Sequence, residues 1–361
     1  MPNPTVPCQY RTGKTLGTGT YYISKEAIHI ETGKYYGCKI IRKTAMQGRG
    51  HLVRNEIAVL KRVKSDNPNI VKLHDYFETM HSVYLCLDLC TGGTLFDRIR
   101  DKGTYPEAKT ADLVRTILIA VKHIHNSGIE HRDLNPKTLH FRSLAEGAPI
   151  MIADFGHGRL TEEIREGRDD GEMKLYGVHR YMAPEVFVKP NHSKPVDVWG
   201  VGLLAFFMIA GYTPFDRDRV QLETDAIVAG EYKFAPGEKW DNISVNAREF
   251  IGMCLTVDPD RRPTAKDALA HTWLVPPTPR VIQVKSRTAS LLELRLPYFK
   301  KVFNPKRKWR IVVLTIKALN RMHTLAGHPL PSTQQDADEE ATGQVVTVHL
   351  GFQPSIDPRF E

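Results

Sequence analysis

Two short acidic motifs hold the residues with the clearest potential for chemistry. Asp133 ends a His-Arg-Asp motif that follows a predicted amphipathic helix over residues 108–127, and Asp154 opens an Asp-Phe-Gly motif directly after an apolar run. The first aspartate is of the type that accepts a hydroxyl proton during phosphoryl transfer, and the second of the type that holds magnesium. An ordinary surface turn would explain a His-Arg-Asp triplet alone, so the assignment depends on the spacing of further motifs.

A turn that contains glycines lies near the start of the chain, between two predicted strands. Gly17 and Gly19 can adopt positive φ and let backbone amides approach phosphates. A third glycine is expected in such a turn, and Tyr22 stands in its place. Two glycines fit an ordinary hairpin equally well. The residues expected to contact a nucleotide here are Leu16, Gly17, Thr18, Gly19, Thr20 and Ser24.

The next two predicted elements carry a cation and an anion. Residues 34–42 alternate like a strand and present Lys39, and residues 51–63 have the periodicity of a helix that presents Glu56. A strand lysine in this position pairs with nucleotide phosphates and with a glutamate of the following helix. Surface residues this far apart are ordinarily unrelated, but their order after a glycine turn favours the pair.

Taken in order, these motifs resemble those of eukaryotic protein kinases over residues 10–274, and most closely the calcium/calmodulin-dependent protein kinases in a fungal version. The resemblance implies an α+β bilobal fold, with a small β-rich N-lobe (about 10–90) over a larger helical C-lobe (about 91–274). Residues 1–9 would then be an N-terminal extension. The matching positions are 16–21, Lys39, Glu56, 131–133, 154–156, 183–185, 211–215 and 271–273.

The resemblance also assigns roles and implies ATP and Mg²⁺ as cofactors. Asp133 would be the base that accepts the substrate proton, and Asp154 would hold the metal. Residues 88–93 would form the hinge between the lobes, where Asp88 and Cys90 are expected to contact the nucleotide.

The same resemblance exposes departures close to the transferred phosphate. Asn135 replaces the usual lysine, and Thr138 replaces the asparagine that holds magnesium. Losing one such donor typically reduces the rate by about 10²–10³. Thr138 keeps an oxygen that can meet the metal through a bridging water. Val178 replaces a threonine that contacts the missing lysine.

These departures predict a protein that binds ATP but whose phosphoryl transfer is impaired or lost, a pseudokinase. The alternative is a fully active Ser/Thr protein kinase that transfers the γ-phosphate of ATP to protein hydroxyls. The identity of a protein substrate stays open.

The 361-residue chain has 41% hydrophobic and 25% charged residues, with a net charge of +9. A nucleic-acid-binding protein is a distant alternative that rests on this charge alone, and residues 300–310 supply much of the excess. We therefore expect no nucleic-acid partner.

Five cysteines without zinc-like spacing indicate a reducing compartment, and no secretory signal is visible, so a cytoplasmic protein is expected. The most apolar stretch, residues 198–210, is too short to span a bilayer and predicts a buried helix rather than a membrane contact.

Residues 306–322 have the pattern of a basic amphipathic helix, similar to a calmodulin-target helix. Its expected contacts with Ca²⁺-loaded calmodulin are Trp309, Val313, Ile316 and Met322. The alternative is a helix that packs permanently on the large lobe, and in the resembled family the segment blocks the cleft until calmodulin removes it. Residues 275–326 are thus predicted as a linker with an autoinhibitory, calmodulin-binding helix, and residues 327–361 as a disordered tail.

Overall fold

Five antiparallel strands form the sheet that occupies the first part of the chain, in the order β1-β2-β3-β5-β4. The computed structural model describes residues 8–19, 22–46, 50–63, 67–161, 179–188 and 193–275. The predicted C-terminal regulatory helix and tail lie outside the described residues. The strands are β1 (Tyr10–Thr18), β2 (Tyr22–His29), β3 (Tyr35–Arg42), β4 (Leu73–Glu78) and β5 (Ser82–Leu87).

The register of this sheet sets which side chains face the cleft. Lys39 on β3 lies opposite Ser24 on β2 and opposite Leu85 on β5. Because side chains alternate along a strand, the neighbouring Cys38 points to the other face, into a small core with Cys86 and other apolar side chains. Helix α1 (Gly50–Val63) lies between β3 and β4 in the chain and buries an apolar stripe together with Glu56.

Helices dominate the rest of the described chain. They are α2 (Leu95–Lys102), α3 (Glu107–Asn126), α4 (Pro184–Val188), α5 (Pro195–Ala210), α6 (Val220–Ala229), α7 (Gly237–Trp240), α8 (Val245–Cys254) and α9 (Ala265–Leu269). The α+β bilobal kinase fold predicted from the sequence is confirmed, with a β-rich N-lobe and a helical C-lobe.

Helix α5 is the centre of the helical lobe. Every residue from Val196 to Ala210 is buried, as the apolar run predicted. Pro195 occupies the first turn, where its missing N–H is not needed, and Gly211 ends the helix with a φ of 81°. Helices α3 and α8 pack against α5. No helix of the described residues is long and apolar enough to cross a membrane.

Two small antiparallel pairs hold the loops that carry the acidic motifs. Strand β6 (Ile129–Glu130) pairs with β9 (Arg159–Leu160), and β7 (Leu139–Phe141) pairs with β8 (Ile150–Ile152). The loop between β6 and β7 therefore begins and ends on fixed strands, and so does the turn after β8. This arrangement positions Asp133 and Asp154.

A buried ion pair closes the helical lobe. The guanidinium of Arg262 donates to Glu185 at 2.7 and 2.9 Å. Its other N–H groups donate to the backbone carbonyl oxygens of Thr256, Pro195 and Val257 at 2.8 to 3.2 Å. All five donors are therefore satisfied, and the pair joins α4, the start of α5 and the turn after α8.

We predict that Glu185→Gln destabilises the protein by about 3–5 kcal/mol, because it leaves the buried Arg262 charge without its counterion. Thermal unfolding with circular dichroism measures the loss. Arg100→Met is the matched control, since Arg100 forms ion pairs with Asp97 and Asp101 at the surface and its removal should change stability by less than about 1 kcal/mol. Equal effects of the two changes would contradict the prediction.

Candidate active site

The centre of the cleft is an ammonium group shared by two carboxylates. Lys39 Nζ donates to both oxygens of Glu56, at 2.7 and 3.0 Å, and to Asp154 Oδ1 at 2.9 Å. Strand β3, helix α1 and the turn after β8 each supply one residue. The predicted pair of Lys39 and Glu56 is therefore present, and Asp154 joins it.

The electrostatics of this group follow from its burial. Burial alone would lower the pKa of Lys39, but the negative charges of Asp154 and Glu56 outweigh it and raise that pKa above its ordinary value. Burial would raise the pKa of Asp154, but the charge of Lys39 outweighs it and lowers that pKa. Lys39 is thus charged and Asp154 ionised at neutral pH.

The turn that carries Asp154 is fixed by its backbone. Asp154 has a φ of 62° and precedes a short 3₁₀ turn, Phe155–His157. The side-chain amide of Asn55 on α1 donates to the carbonyl oxygen of Gly158 at 2.6 Å, so the turn is tied to the same helix that carries Glu56. The two acidic partners of Lys39 are therefore positioned together.

Asp197, at the start of α5, fixes the loop between β6 and β7 that carries Asp133. Its carboxylate accepts hydrogen bonds from the backbone N–H groups of His131 and Arg132 at 2.9 and 2.7 Å, and lies 2.8 Å from His125 Nε2. These bonds support the positive φ of 67° at Arg132, a backbone conformation that residues other than glycine rarely adopt. The His131 ring bonds to the carbonyl oxygen of Ala153, which links this loop to the Asp154 turn.

This role of Asp197 was not predicted from the sequence. Its partners are backbone groups 65 and 66 residues away in the chain, and no local pattern marks such a contact. Tyr22 was noted as a missing glycine, and the structure shows that its side chain enters the cleft near Lys39.

Asn135 takes the place of the usual lysine and contacts the predicted base. Its side-chain amide donates to Asp133 Oδ1 at 2.8 Å, while its own oxygen accepts from the backbone N–H of Lys137 at 2.9 Å. Asn135 is buried, and Asp133 stays partly exposed. The amide therefore orients the Asp133 carboxylate but brings no positive charge to it.

Thr138 is engaged within the same loop. Its hydroxyl lies 2.9 Å from the carbonyl oxygen of Asp133 and 3.0 Å from that of Asn135, and it accepts from the backbone N–H of Asn135 at 3.1 Å. A metal on Thr138 would have to replace these local bonds. Its role as a magnesium ligand stays a prediction.

The remaining residues that are predicted to contact a nucleotide belong to two regions, the turn at the end of β1 and the hinge after β5. Leu16, Gly17 and Thr18 lie on β1, and Gly19 directly follows it. Thr20 lies outside the described residues, as do Val178 and the predicted calmodulin contacts Trp309, Val313, Ile316 and Met322.

Asp88 and Cys90 follow β5 at the predicted hinge. The Asp88 carboxylate lies 2.9 Å from His74 Nε2, accepts from the backbone N–H of Lys72 at 3.1 Å and lies 3.4 Å from the Arg142 guanidinium, so its side chain contacts both lobes. Burial raises the pKa of Cys90 to about 11, which keeps its thiol protonated. Their contacts with a nucleotide stay predictions.

The residues at the centre of the cleft fit a magnesium nucleotide. Two carboxylates face one ammonium, which leaves an excess negative charge at Asp154 that suits a divalent cation. No cluster of three histidine, cysteine or acidic side chains suited to a metal occurs among the described residues. A magnesium ion held by one carboxylate and by phosphates of the nucleotide agrees with that chemistry.

Comparisons with known proteins agree with this geometry. A family model described as the protein kinase domain matches residues 10–274. The chain is 47% identical over 321 residues to the calcium/calmodulin-dependent protein kinase cmkB of Emericella nidulans, covering 89% of this chain and 78% of the relative. It is 42% identical over 315 residues to the calcium/calmodulin-dependent protein kinase type I of Schizosaccharomyces pombe, covering 87% and 90%. The type 1 kinase of Caenorhabditis elegans is 35% identical over 328 residues, covering 90% and 88%.

We predict a loss of stability on acidification that depends on His157, beside Asp154. Burial lowers the pKa of His157 to about 4, whereas a histidine in the unfolded chain has a pKa of about 6.5. Below that pH the unfolded chain binds a proton that the folded chain does not, so stability is lost as the pH falls toward 4. Between pH 7 and pH 5, His157→Gln should remove roughly 1–2 kcal/mol of this loss.

Urea unfolding at both pH values measures this effect. His81→Gln is the control, because His81 is exposed and its replacement should leave the acid sensitivity unchanged. An unchanged pH dependence in His157→Gln would contradict the assignment.

Proposed function

The chain belongs to the protein kinase family, within it to the calcium/calmodulin-dependent protein kinases, and from this membership we propose that it binds magnesium–ATP. We further propose that it transfers phosphate to protein hydroxyls slowly or not at all. Its family defines it as a Ser/Thr kinase, and the protein kinase domain generally uses ATP and Mg²⁺. The proposal concerns how far the reaction is retained.

The observation that carries the proposal is the contact between Asn135 and Asp133. Phosphoryl transfer by this fold depends on positioning and on charge that stabilises the transferred group. The Asn135 amide supplies the position, 2.8 Å from Asp133 Oδ1, but it is neutral. Removing one charge-stabilising donor typically lowers the rate by about 10²–10³.

Other parts of the cleft support retained nucleotide binding. The ion pair of Lys39 and Glu56 is formed, and Asp154 lies beside it. Lys39 would contact the phosphates, Asp154 would hold magnesium, and Asp133 would accept the hydroxyl proton. Bound magnesium supplies charge neutralisation to the phosphates. The same observations favour the alternative, a fully active kinase, and turnover separates the two.

We predict that the full chain, with or without Ca²⁺/calmodulin, turns over barely above an Asp133→Asn blank, and that Asn135→Lys raises the rate by about 10². Transfer of labelled phosphate from ATP to the chain itself and to a Ser/Thr peptide library measures the rate. Asn135→Met is the matched control, because it has a similar length without the charge.

Two results would contradict parts of this proposal. Rapid turnover by the unmodified chain would establish the fully active alternative. A lack of thermal stabilisation by magnesium–ATP would contradict nucleotide binding itself, because a ligand that binds the folded state raises the unfolding temperature.

We also propose that residues 306–322 bind Ca²⁺-loaded calmodulin, as the names of the relatives suggest for those proteins. Trp309 lies at one end of the apolar face that the sequence predicts, and buried aromatic anchors contribute strongly to such interfaces.

Trp309→Ala should therefore weaken calmodulin binding at least about tenfold in fluorescence anisotropy with labelled calmodulin. Leu314→Ala also shortens an apolar side chain of this segment and is the control, because position 314 lies about 140° from Trp309 around a helix and on the side opposite the apolar face. Undiminished binding by Trp309→Ala would remove the anchor role.

A further inference from the structure

Tyr22 stands where the turn is expected to have its third glycine, and its side chain enters the cleft. The centre of its ring lies 4.4 Å from Lys39 Nζ, and its hydroxyl lies 3.5 Å from Asp154 Oδ2. The carbonyl oxygen of Tyr22 accepts a hydrogen bond from the backbone N–H of Gly19 at 2.9 Å. The phenol therefore lies between the turn and the two charged residues at the centre of the cleft.

Gly19 and the Tyr22 ring are in close contact. A Cβ atom built on Gly19 would collide with three atoms of the ring, so the ring packs directly against the backbone of that glycine. The side chain thus fills the space beneath the turn. A glycine at position 22 would leave that space open.

Tyr22 contacts the same groups that a magnesium nucleotide needs. Lys39 donates its three hydrogen bonds to Glu56 and Asp154, and the Tyr22 ring covers the ammonium. Lys39 contacts one oxygen of Asp154 and the Tyr22 hydroxyl contacts the other. The charge of Asp154, together with burial, raises the pKa of Tyr22 to about 12, so the phenol stays neutral in this contact.

We propose that Tyr22 competes with the phosphates of the nucleotide and with its metal ion for Lys39 and Asp154, so that the ring leaves the cleft before magnesium–ATP binds. The inference rests on the proposed function, which supplies the nucleotide. The apparent affinity for ATP is then the intrinsic affinity multiplied by the fraction of molecules in which the ring does not occupy the site. Adenosine, which has no phosphates, escapes this competition.

Isothermal titration calorimetry on the full chain tests the proposal with magnesium–ATP and with adenosine. Tyr22→Ser should bind magnesium–ATP about five- to tenfold more tightly than the unmodified chain and bind adenosine with unchanged affinity. Tyr22→Phe keeps the ring and loses only a long hydrogen bond, so it should stay close to the unmodified chain. Tyr35→Ser is the matched control, because Tyr35 is 56% exposed on the same sheet and should change neither affinity.

Each contrary result has one meaning. Equal or weaker binding of magnesium–ATP by Tyr22→Ser would overturn the competition and leave the proposed function standing. An equal gain for adenosine would overturn it too, because the change would then act on the whole cleft. If neither the unmodified chain nor Tyr22→Ser binds magnesium–ATP while both unfold cooperatively, the competition and the proposed nucleotide binding both fail.

Discussion

The shared ammonium group of Lys39 is the interaction on which the arrangement of the cleft depends. It joins three elements, the third strand, the first helix and the turn that carries Asp154, and the last of these lies 115 residues from Lys39 in the chain. A buried charge without partners is strongly destabilising, so each of the three elements is held to the other two. The same group is the cation that a phosphate meets. One contact therefore serves both the packing of the lobes and the proposed binding site.

Beneath this cluster, the loop that carries Asp133 is held by backbone hydrogen bonds to Asp197 rather than by the side chains that face the substrate. These bonds do not involve the side chain at position 135, so they are available whether that residue is a lysine or an asparagine. This separation explains how a complete kinase scaffold accommodates a changed set of catalytic groups. Thr138 shows the same principle, since a short hydroxyl side chain readily bonds to nearby backbone and stabilises the loop that contains it.

The sequence predicted the features that are set by order and spacing. The pair of Lys39 and Glu56 and the buried helix α5 both follow from residue types at characteristic positions. The sequence could not show what Asp197 contacts, because its partners are amides of a distant loop. It identified Tyr22 as a departure but not the direction of its side chain. That direction depends on the absence of a side chain at Gly19 and on the charged groups of the cleft, which only folding brings together.

The burial of α5 has a consequence for synthesis of the chain. From Val196 to Ala210 every residue is covered in the finished protein, and part of that cover is α8, which begins 35 residues after α5 ends. While the ribosome is still adding those residues, a helix that is apolar except for Asp197 has no partner on one side. Exposed apolar segments of this kind are where nascent proteins aggregate and where chaperones bind. The core of the helical lobe is therefore completed only after the residues of α8 have been added. A nascent chain that stops before Val245 exposes the apolar surface of α5 that α8 would cover.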